Sequence, residues 1–193
     1  MSFELGIIGG TGMAEWAGAQ AMDPVATPWG EPSAPPAAAD VNGRRVVFLA
    51  RHGNPHSIPP HRVNYRANLW ALRASGVRRI IALNAVGAIR ADLAAGGLVV
   101  PDQIIDYTWR RGHTFSDGGE QPLRHIDFTQ PYTPDLRAAL LAAAETAGVG
   151  AVSGGVYAAT QGPRLESAAE IRRLRNDGCD LVGMTGMPEA ALA

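Results

Sequence analysis

Residues 46–62 read VVFLARHGNPHSIPPHR. A run of apolar and β-branched residues ends at Arg51 and His52, and glycine, asparagine and proline follow at once. Branched and aromatic residues favour a strand, whereas Gly, Asn and Pro favour a turn. The stretch therefore predicts a buried strand with two potentially cationic side chains at its carboxyl end. Those side chains either bind an anion there or lie in water.

The composition indicates a globular protein without a strong charge bias. The chain has 193 residues, of which 46% are hydrophobic and 18% are charged, and its formal net charge is −1. This length and composition predict one α/β-sized domain over residues 1–193 and disfavour a disordered chain. The balanced charge gives no reason to expect nucleic acid or an anionic membrane as a partner.

The expected location of the protein follows from its cysteine content and hydropathy. Cys179 is the only cysteine, which excludes an internal disulfide and fits a reducing compartment. No apolar stretch approaches the roughly 18 residues that a membrane-spanning helix needs. The N-terminus has neither a basic lead nor a cleavable apolar region. We therefore expect a cytoplasmic protein.

Strand-like and helical segments alternate along the chain, which predicts an α/β fold. Terminal signals such as Pro134 and Gly148 predict helices in residues 63–76, 134–148 and 167–178. Extended patterns predict strands in residues 3–10, 39–50, 77–88, 96–107, 150–160 and 179–184. Asn42-Gly43 divides the second of these strands into a hairpin. The strand in residues 77–88 runs into a small-residue turn, and the strand in residues 150–160 is broken by glycines. Pro188 is placed to open a further helix, so the chain is expected to stop inside an element.

The first predicted strand ends in residues 9–12, GGTG. Read from Gly10, a dinucleotide fingerprint G-x-G-x-x-G fails, because Glu15 stands where the third glycine belongs. A proline-rich segment then precedes the next strand, which also disfavours a nicotinamide-binding domain. A strand followed by GGTG still offers backbone N–H groups and the Thr11 hydroxyl to an anion. The alternative is a tight turn that needs the positive φ angles of glycine.

Arg51 and His52, at the end of another predicted strand, are candidate anion-binding residues. Arginine offers a rigid fork of donors with a permanent charge, and histidine donates near neutral pH. Taken alone, an arginine at a strand end is more often a surface residue. A metal site at His52, His56 and His61 is disfavoured, because their spacing matches no common zinc pattern.

Three later turns complete the candidate set. Residues 84–88, NAVGA, have small side chains that either admit a ligand to the backbone or allow close helix packing. Residues 160–167, TQGPRLES, place Glu166 before a helix, where it either accepts hydrogen bonds from a ligand or complements the helix dipole. Thr185 lies between the last strand and a helix start, a position that either binds an anion or caps the turn.

Donors at three strand ends together indicate one anion. Thr11, Arg51-His52 and Thr185 each follow a predicted strand. Ligands of open α/β sheets bind at the carboxyl ends of the strands, so these donors are predicted to share one site.

Six ordered motifs run through the chain: IIGGTG, LARHGNPH, VNYRANLWAL, NAVGAI, TQGPRLES and DLVGMTGMPEAALA. In this order the chain resembles the trimeric purine nucleoside phosphorylase superfamily, and the match extends over residues 5–193. The ARHG form is most similar to the methylthioadenosine/methylthioinosine phosphorylase branch. The resemblance implies an α/β phosphorylase/hydrolase-like fold, in which helices flank a mixed twisted β-sheet.

The resemblance also implies the roles of the site residues. Phosphate is expected to be held by Thr11, Arg51, His52, the backbone at Ala85, and Thr185. The nucleoside is expected to contact Leu165, Glu166 and Met184, together with His125 lent by a neighbouring subunit. The implied working form is therefore a homotrimer with its sites at subunit interfaces.

The chain departs from the family pattern in two respects. The family aromatic that often precedes the glutamate position is Leu165 here, which weakens the expectation of aromatic stacking on the base. The family continues past PEAALA with a strand, carrying a base-contacting Asn or Asp, and with a C-terminal helix. Neither follows here, so we expect a single phosphorylase domain that is truncated at its C-terminus.

The implied reaction is phosphorolysis of a purine nucleoside, with S-methyl-5′-thioinosine and phosphate giving hypoxanthine and 5-methylthioribose 1-phosphate. Phosphate must lie below C1′ while negative charge moves onto the purine, so positioning and electrostatics suffice without a covalent nucleophile. No cofactor and no metal are implied. When ionised, Glu166 only accepts hydrogen bonds, so it complements the N1–H of a 6-oxopurine and repels the bare N1 of a 6-aminopurine.

Other activities remain open from the sequence. They are a methylthioadenosine phosphorylase, a general 6-oxopurine nucleoside phosphorylase, a nucleosidase that uses water, and an inactive nucleotide-binding domain. The phosphate-binding assignment of Arg51 disfavours the nucleosidase. Release of hypoxanthine only when phosphate is present would separate the phosphorylases from a binding domain.

Overall fold

The computed structural model describes residues 4–116, 118 and 123–193. Within these residues the strands are β1 Leu5–Gly9, β2 Gln20–Ala21, β3 Ala37–Val41, β4 Arg44–Ala50, β5 Arg79–Ala82, β6 Gly87–Ala88, β7 Leu98–Val100, β8 Gln103–Asp106, β9 Ala151–Ser153, β10 Val156–Ala159 and β11 Leu181–Gly183. The helices are α1 Tyr65–Ala74, α2 Pro134–Thr146, α3 Ala168–Asn176 and α4 Gly186–Leu192, with a 3-10 turn at Pro60–Arg62.

The residues group into two compact units. The first unit comprises the chain up to Ala85, Gly112–Phe115 and Leu192–Ala193. The second unit comprises Val86–Arg111 and Ser116–Ala191. The single domain over residues 1–193 stays a prediction.

The first unit is built on a five-stranded sheet with the order β2-β3-β4-β1-β5. The strands β4, β1 and β5 are parallel, with Ile8 of β1 opposite Leu49 and Ala82. β3 and β4 form the predicted antiparallel hairpin, and its turn uses Asn42 at φ 52° and Gly43 at φ 76°. Asparagine and glycine tolerate this left-handed backbone, which is why the chain reverses at this pair.

α1 supplies the main helical packing of the first unit. The side chain of Asn64 caps its N-terminus by accepting a hydrogen bond from a backbone N–H of the first turn at 3.2 Å. The helix buries Tyr65, Leu69 and Leu72, whose spacing places them on one face. That face shares a core with buried side chains of β1 and β4. The packing therefore fixes the two strands whose ends carry candidate residues.

The second unit contains a four-stranded sheet with the order β6-β11-β10-β8 and a separate β7-β9 pair. The strands β11, β10 and β8 are parallel, whereas β6 runs antiparallel to β11. Tyr157 of β10 lies opposite Leu181 and Ile104, and its side chain is buried. Mixed sheets with accompanying helices confirm the predicted α/β class.

Prolines mark the starts of two helices in the second unit. α2 begins at Pro134, and Arg137 fastens it to the end of β7 by donating from Nε to the backbone O of Pro101 at 2.7 Å. α4 contains a non-helical residue, Met187, with φ −120° and ψ 141°. Helical backbone resumes at Pro188, the position that the sequence predicts for a helix start.

Three predicted segments are divided between sheets: the strand and turn of residues 77–88, the extended run of residues 96–107 and the glycine-broken strand of residues 150–160. β5 and β6 belong to different sheets, and so do β7 and β8, and β9 and β10. Between β9 and β10, Gly154 and Gly155 have φ angles of 83° and 129°, which redirect the chain. Pro101, between β7 and β8, has no N–H to donate to a ladder. The hairpin and the three predicted helices are confirmed.

Two absences apply to the described residues alone. None of their helices is both long and apolar enough to cross a membrane. In the same part of the chain, no group of three or more His, Cys, Asp or Glu side chains is arranged to hold a metal ion.

Candidate functional site

The carboxyl ends of three parallel strands lie side by side in the first unit. Gly9 of β1 pairs with Ala50 of β4, and Ile8 pairs with Ala82 of β5. The turns that follow these strands therefore leave the sheet at one edge. They carry four of the predicted phosphate residues, here called the Arg51 cluster: Thr11, Arg51, His52 and Ala85.

Arg51 is fully buried, with 0% of its surface exposed. Its Nη1 donates a hydrogen bond to the backbone O of Leu83 at 2.9 Å, which ties the end of β4 to the end of β5 across β1. An exposure of 0% is incompatible with a solvated side chain at a strand end. Burying a charge is costly unless polar or charged groups surround it, and the hydrogen bond to Leu83 supplies part of that polar environment.

Close packing as well as positive φ shapes the GGTG turn. A Cβ at Gly10 would overlap the backbone O of Leu83 and would lie 2.7 Å from Nη1 of Arg51. Glycine at this position therefore lets the guanidinium lie against the turn. Gly12 has φ 85°, which glycine adopts readily. Thr11 is exposed, and no described residue accepts a hydrogen bond from its backbone N–H.

His52 is buried and holds the proline-containing loop in place. Its Nδ1 lies 2.8 Å from the backbone O of Ile58. A carbonyl oxygen only accepts, so Nδ1 carries the hydrogen. Nε2 is then an acceptor in the neutral ring and a donor in the imidazolium. His56 stacks on this ring, with centroids 4.4 Å apart and planes 11° from parallel.

In the second unit the carboxyl ends of β8, β10 and β11 also lie side by side. Ala159 of β10 pairs with β8 on one side and with Gly183 of β11 on the other. The N–H of Thr160 extends this pairing by donating to the O of Gly183 at 2.8 Å. The turns after β10 and β11 bring together four predicted site residues: Leu165, Glu166, Met184 and Thr185.

A neighbouring hydroxyl holds the carboxylate of Glu166. Oγ1 of Thr160 donates to Oε1 of Glu166 at 2.7 Å. Among the described residues, none donates a hydrogen bond to Oε2, so that oxygen keeps its capacity to accept. The preceding Leu165 is 79% exposed, which leaves its side chain at the surface. This turn is therefore suited to accept an N–H from a ligand.

A bidentate salt bridge between Arg164 and Glu170 links the same turn to the start of α3. Nη1 and Nη2 of Arg164 donate to Oε2 and Oε1 of Glu170 at 2.9 and 2.7 Å. Ser167 and Glu170 also form a capping box, in which each side chain accepts a hydrogen bond from the other residue's N–H. The hydrogen bonds from Arg164 and from the N–H of Ser167 lower the pKa of Glu170 to about 2. The turn that presents Glu166 is thus anchored at both ends.

A cavity of about 300 Å³ opens beside this turn. Its walls include Gln161, Glu166, Arg173 and Trp109, and the Trp109 side chain is 56% exposed. The volume lies at the lower end of the range for small-molecule sites, about 300–1,000 Å³. The cavity combines an acceptor, a cation and an aromatic surface within one unit.

Met184 and Thr185 occupy the turn between β11 and α4. Thr185 is buried, and its N–H donates to Oη of Tyr157 across 3.5 Å. A Cβ at Gly162 would overlap Sδ of Met184, so the turns after β10 and β11 pack directly against each other. Thr185 belongs to the second unit, whereas the Arg51 cluster belongs to the first. Their joint binding of one phosphate stays a prediction.

His125 lies apart from these turns along the chain, in the second unit. Its side chain is exposed, and the adjacent Ile126 is 60% exposed. The predicted contact of His125 with a neighbouring subunit's site stays a prediction.

Sequence reasoning misses two residues that organise the second unit. Thr160 is one, because a hydroxyl at a strand end has many alternative partners. The other is Arg111, which is 9% exposed and whose guanidinium donates to the turns after β10 and β11. The only sequence signal for Arg111 is that it belongs to a pair of arginines shortly after β8. Nothing in that pair separates the buried Arg111 from Arg110, which is exposed at φ 56°.

Comparison with known proteins gives relatives along the whole chain. A sequence model described as the phosphorylase superfamily matches residues 4–193. A Xanthomonas campestris protein named "Probable S-methyl-5'-thioinosine phosphorylase" is 53% identical over 194 residues, which cover 100% of this chain and 78% of that protein. A Pyrococcus furiosus protein named 6-oxopurine nucleoside phosphorylase is 48% identical over 195 residues, which cover 98% of this chain and 73% of that protein.

Solved structures show the same fold. Methylthioadenosine phosphorylase from Schistosoma mansoni, in complex with tubercidin, matches with a TM-score of 0.91 and 33% sequence identity. The match covers 100% of this chain and 74% of that one. These findings confirm the resemblance that the ordered motifs indicate. The chain belongs to the phosphorylase superfamily.

Proposed function

We propose that the chain catalyses phosphorolysis of a purine nucleoside, converting S-methyl-5′-thioinosine and phosphate to hypoxanthine and 5-methylthioribose 1-phosphate. The observation that carries this proposal is the fully buried Arg51 at the ends of three parallel strands. A permanent buried cation beside exposed N–H groups suits a small dianion such as phosphate. Relatives named for the same type of substrate support the assignment.

In this mechanism the Arg51 cluster holds phosphate. Arg51 neutralises its charge, while the hydroxyl and N–H of Thr11 and the backbone at Ala85 donate hydrogen bonds. Nδ1 of His52 is already bonded to the O of Ile58, so Nε2 is the atom that meets phosphate. Thr185 contributes its hydroxyl from the second unit. A held phosphate oxygen then attacks C1′, so positioning and electrostatics supply the rate enhancement.

The departing base receives the electron pair of the broken C–N bond. Met184 lies against the ribose and Leu165 borders the purine. Glu166 accepts the N1–H of a 6-oxopurine through Oε2, because Oε1 is already bonded to the hydroxyl of Thr160. A 6-aminopurine has a bare N1, whose lone pair the carboxylate repels. We therefore assign hypoxanthine rather than adenine as the released base.

The proposal extends to assembly and location. A homotrimer would let each subunit lend His125 to its neighbour, and the exposure of His125 and Ile126 supports such a contact. A cytoplasmic location fits the single cysteine. Light scattering that found a fully active monomer would contradict the trimer.

Phosphate dependence tests the reaction type. Purified chain is incubated with S-methyl-5′-thioinosine, with and without phosphate, and hypoxanthine is followed by its absorbance. The proposal expects release that saturates with phosphate and is lost without it. Release at an equal rate in phosphate-free buffer would instead establish a nucleosidase, and no release under either condition would contradict the proposed reaction.

Base selection is tested by Glu166→Gln, with Glu145→Gln on the exposed face of α2 as the matched control. Wild-type protein should prefer methylthioinosine over methylthioadenosine in kcat/KM at saturating phosphate. A mismatched polar site discriminates by about 10⁴-fold when fully buried, so about 100-fold is expected for the half-buried Glu166. Glu166→Gln should lose most of this preference, whereas Glu145→Gln should keep it. Equal use of the two substrates by the wild type would overturn the assignment.

A further inference from the structure

Arg111 is a buried cation that the proposed mechanism does not use. It lies in the second unit, beyond the end of β8, and only 9% of its surface is exposed. Its guanidinium has five N–H donors in a fixed planar fork. Its hydrogen bonds include five to described residues of the second unit, and four of those five acceptors are backbone carbonyl oxygens.

The acceptors come from two separate turns. On one side, Nη2 donates to the O of Thr160 at 3.3 Å and to the O of Gln161 at 2.8 Å. On the other side, Nη1 donates to the O of Met184 at 2.8 Å and to the O of Met187 at 2.6 Å. The two terminal nitrogens of this rigid, planar group therefore bridge the turn after β10 and the turn after β11.

A side-chain contact extends the bridge to a third segment. Nε of Arg111 donates to Oε1 of Gln161 at 3.2 Å. The same Oε1 accepts from the backbone N–H of Trp109, also at 3.2 Å. The segment after β8 is thus tied through Gln161 to the turn after β10. The three parallel strands of the four-stranded sheet, β8, β10 and β11, all end in segments that this one guanidinium contacts directly or through Gln161.

The two bridged turns carry the residues that face the nucleoside in the proposed function. Thr160 holds Oε1 of Glu166, so a displacement of Thr160 moves the carboxylate that reads the base. Met184 and Thr185 lie in the other turn. A displacement of a fraction of an ångström matters at such a site, because hydrogen-bond strength falls steeply with distance and angle.

We propose that Arg111 is the positioning residue for base discrimination: it fixes the turn that carries Glu166 relative to the turn that carries Met184. This inference rests on the proposed function. Lysine would keep the charge at this position, but a single ammonium cannot supply the planar fork that spans two turns. Arg111→Lys should therefore separate the geometric contribution of the side chain from its charge.

The test compares kcat/KM for methylthioinosine and methylthioadenosine in Arg111→Lys. Their ratio does not depend on the fraction of protein that is folded, so a purely structural contribution would leave it unchanged. We expect the ratio to fall at least about tenfold, the effect of a change of about 1.4 kcal/mol in discrimination. Arg137→Lys is the matched control, because Arg137 also donates to backbone carbonyls, those of Pro101 and Val100. Its ratio should not change.

Gln161→Ala keeps the test decisive if Arg111→Lys fails to fold. This variant removes the Oε1 acceptor of Arg111 and of the Trp109 N–H while leaving the guanidinium in place. It should reduce the ratio by a smaller factor, about threefold, if one of five hydrogen bonds is lost. An unchanged ratio in every folded variant would overturn the inference.

Hydrogen exchange gives a readout that does not require turnover. In Arg111→Lys, amides of residues 160–167 and 183–187 should lose protection together, while those of β7 and α2 should not. If the wild type releases no hypoxanthine, the proposed function fails, but this measurement still judges the bridge. Unchanged protection in both turns would show that Arg111 does not fix them.

Discussion

Replacing Arg51 by methionine should raise the KM for phosphate while leaving a folded protein. Methionine retains much of the buried volume of the side chain and lacks only the guanidinium, which limits the cavity left in a site that is 0% exposed. Hydrogen bonds to a charged group contribute about 1.5–3 kcal/mol, which corresponds to about a 12- to 160-fold change. We therefore expect the phosphate KM to rise by a factor in this range.

Arg44→Met is the matched control for this variant. Arg44 begins the same strand and is exposed, so it lies about 20 Å from the carboxyl end of β4 at a rise of about 3.3 Å per residue. Initial rates at saturating nucleoside and varied phosphate give the KM, and thermal unfolding without phosphate reports stability. Arg51→Met also loses its bond to the O of Leu83, so some loss of stability is expected. A folded Arg51→Met protein with the phosphate KM of Arg44→Met would refute the assignment.

Two further predictions concern the turn that presents Glu166. Gly162→Ala should destabilise the protein by about 1–3 kcal/mol more than Gly178→Ala in thermal unfolding. Both glycines have positive φ, but only a Cβ at Gly162 meets Met184, so equal effects would contradict the packing argument. Arg164→Ala should raise the pKa of Glu170 from about 2 toward its usual 4.5 in a carbon-13 NMR titration, because the bidentate salt bridge is lost. Because the pKa of Glu170 is lower in the folded protein, its ionised carboxylate stabilises the fold above pH 4.5, and this stabilisation is lost as pH falls through 2. If the NMR titration midpoint of Glu170 is the same in Arg164→Ala as in the wild type, Arg164 does not cause the lowered pKa.

Local chemistry made much of the fold predictable. Asn42-Gly43 specified the hairpin because few other residues accept positive φ at both positions. Pro134 and the pair Ser167 and Glu170 marked helix starts through backbone geometry and capping. What the pattern did not predict was the division of residues 77–88, 96–107 and 150–160 between different sheets. Strand partners depend on which distant segment offers a free edge, and a short apolar run carries no record of that choice.

The candidate site was predictable to the extent that its residues lie at strand ends. Arg51 follows directly after a β-forming run, so its place at the sheet edge could be inferred before its burial was known. The close approach of Gly10 to the guanidinium of Arg51 could not be inferred from the sequence, because a glycine is equally consistent with a positive φ and with a short contact. Likewise, Thr160 is a strand-end hydroxyl that acquires meaning only from its 2.7 Å bond to Glu166.

Arg51 and Arg111 show why one buried cation was predictable and the other was not. Each donates to backbone carbonyls that follow another strand. Arg51 donates to the O of Leu83 after β5, and one acceptor of Arg111 is the O of Met184 after β11. Every residue type offers such a carbonyl, so the acceptor places no constraint on which side chain stands there. Arg51 was identified by its own position after a strand, not by its partners. Arg111 lies in a loop, where position carries no such information. A cation that binds backbone carbonyls can therefore organise a site while those partners leave no trace in the sequence.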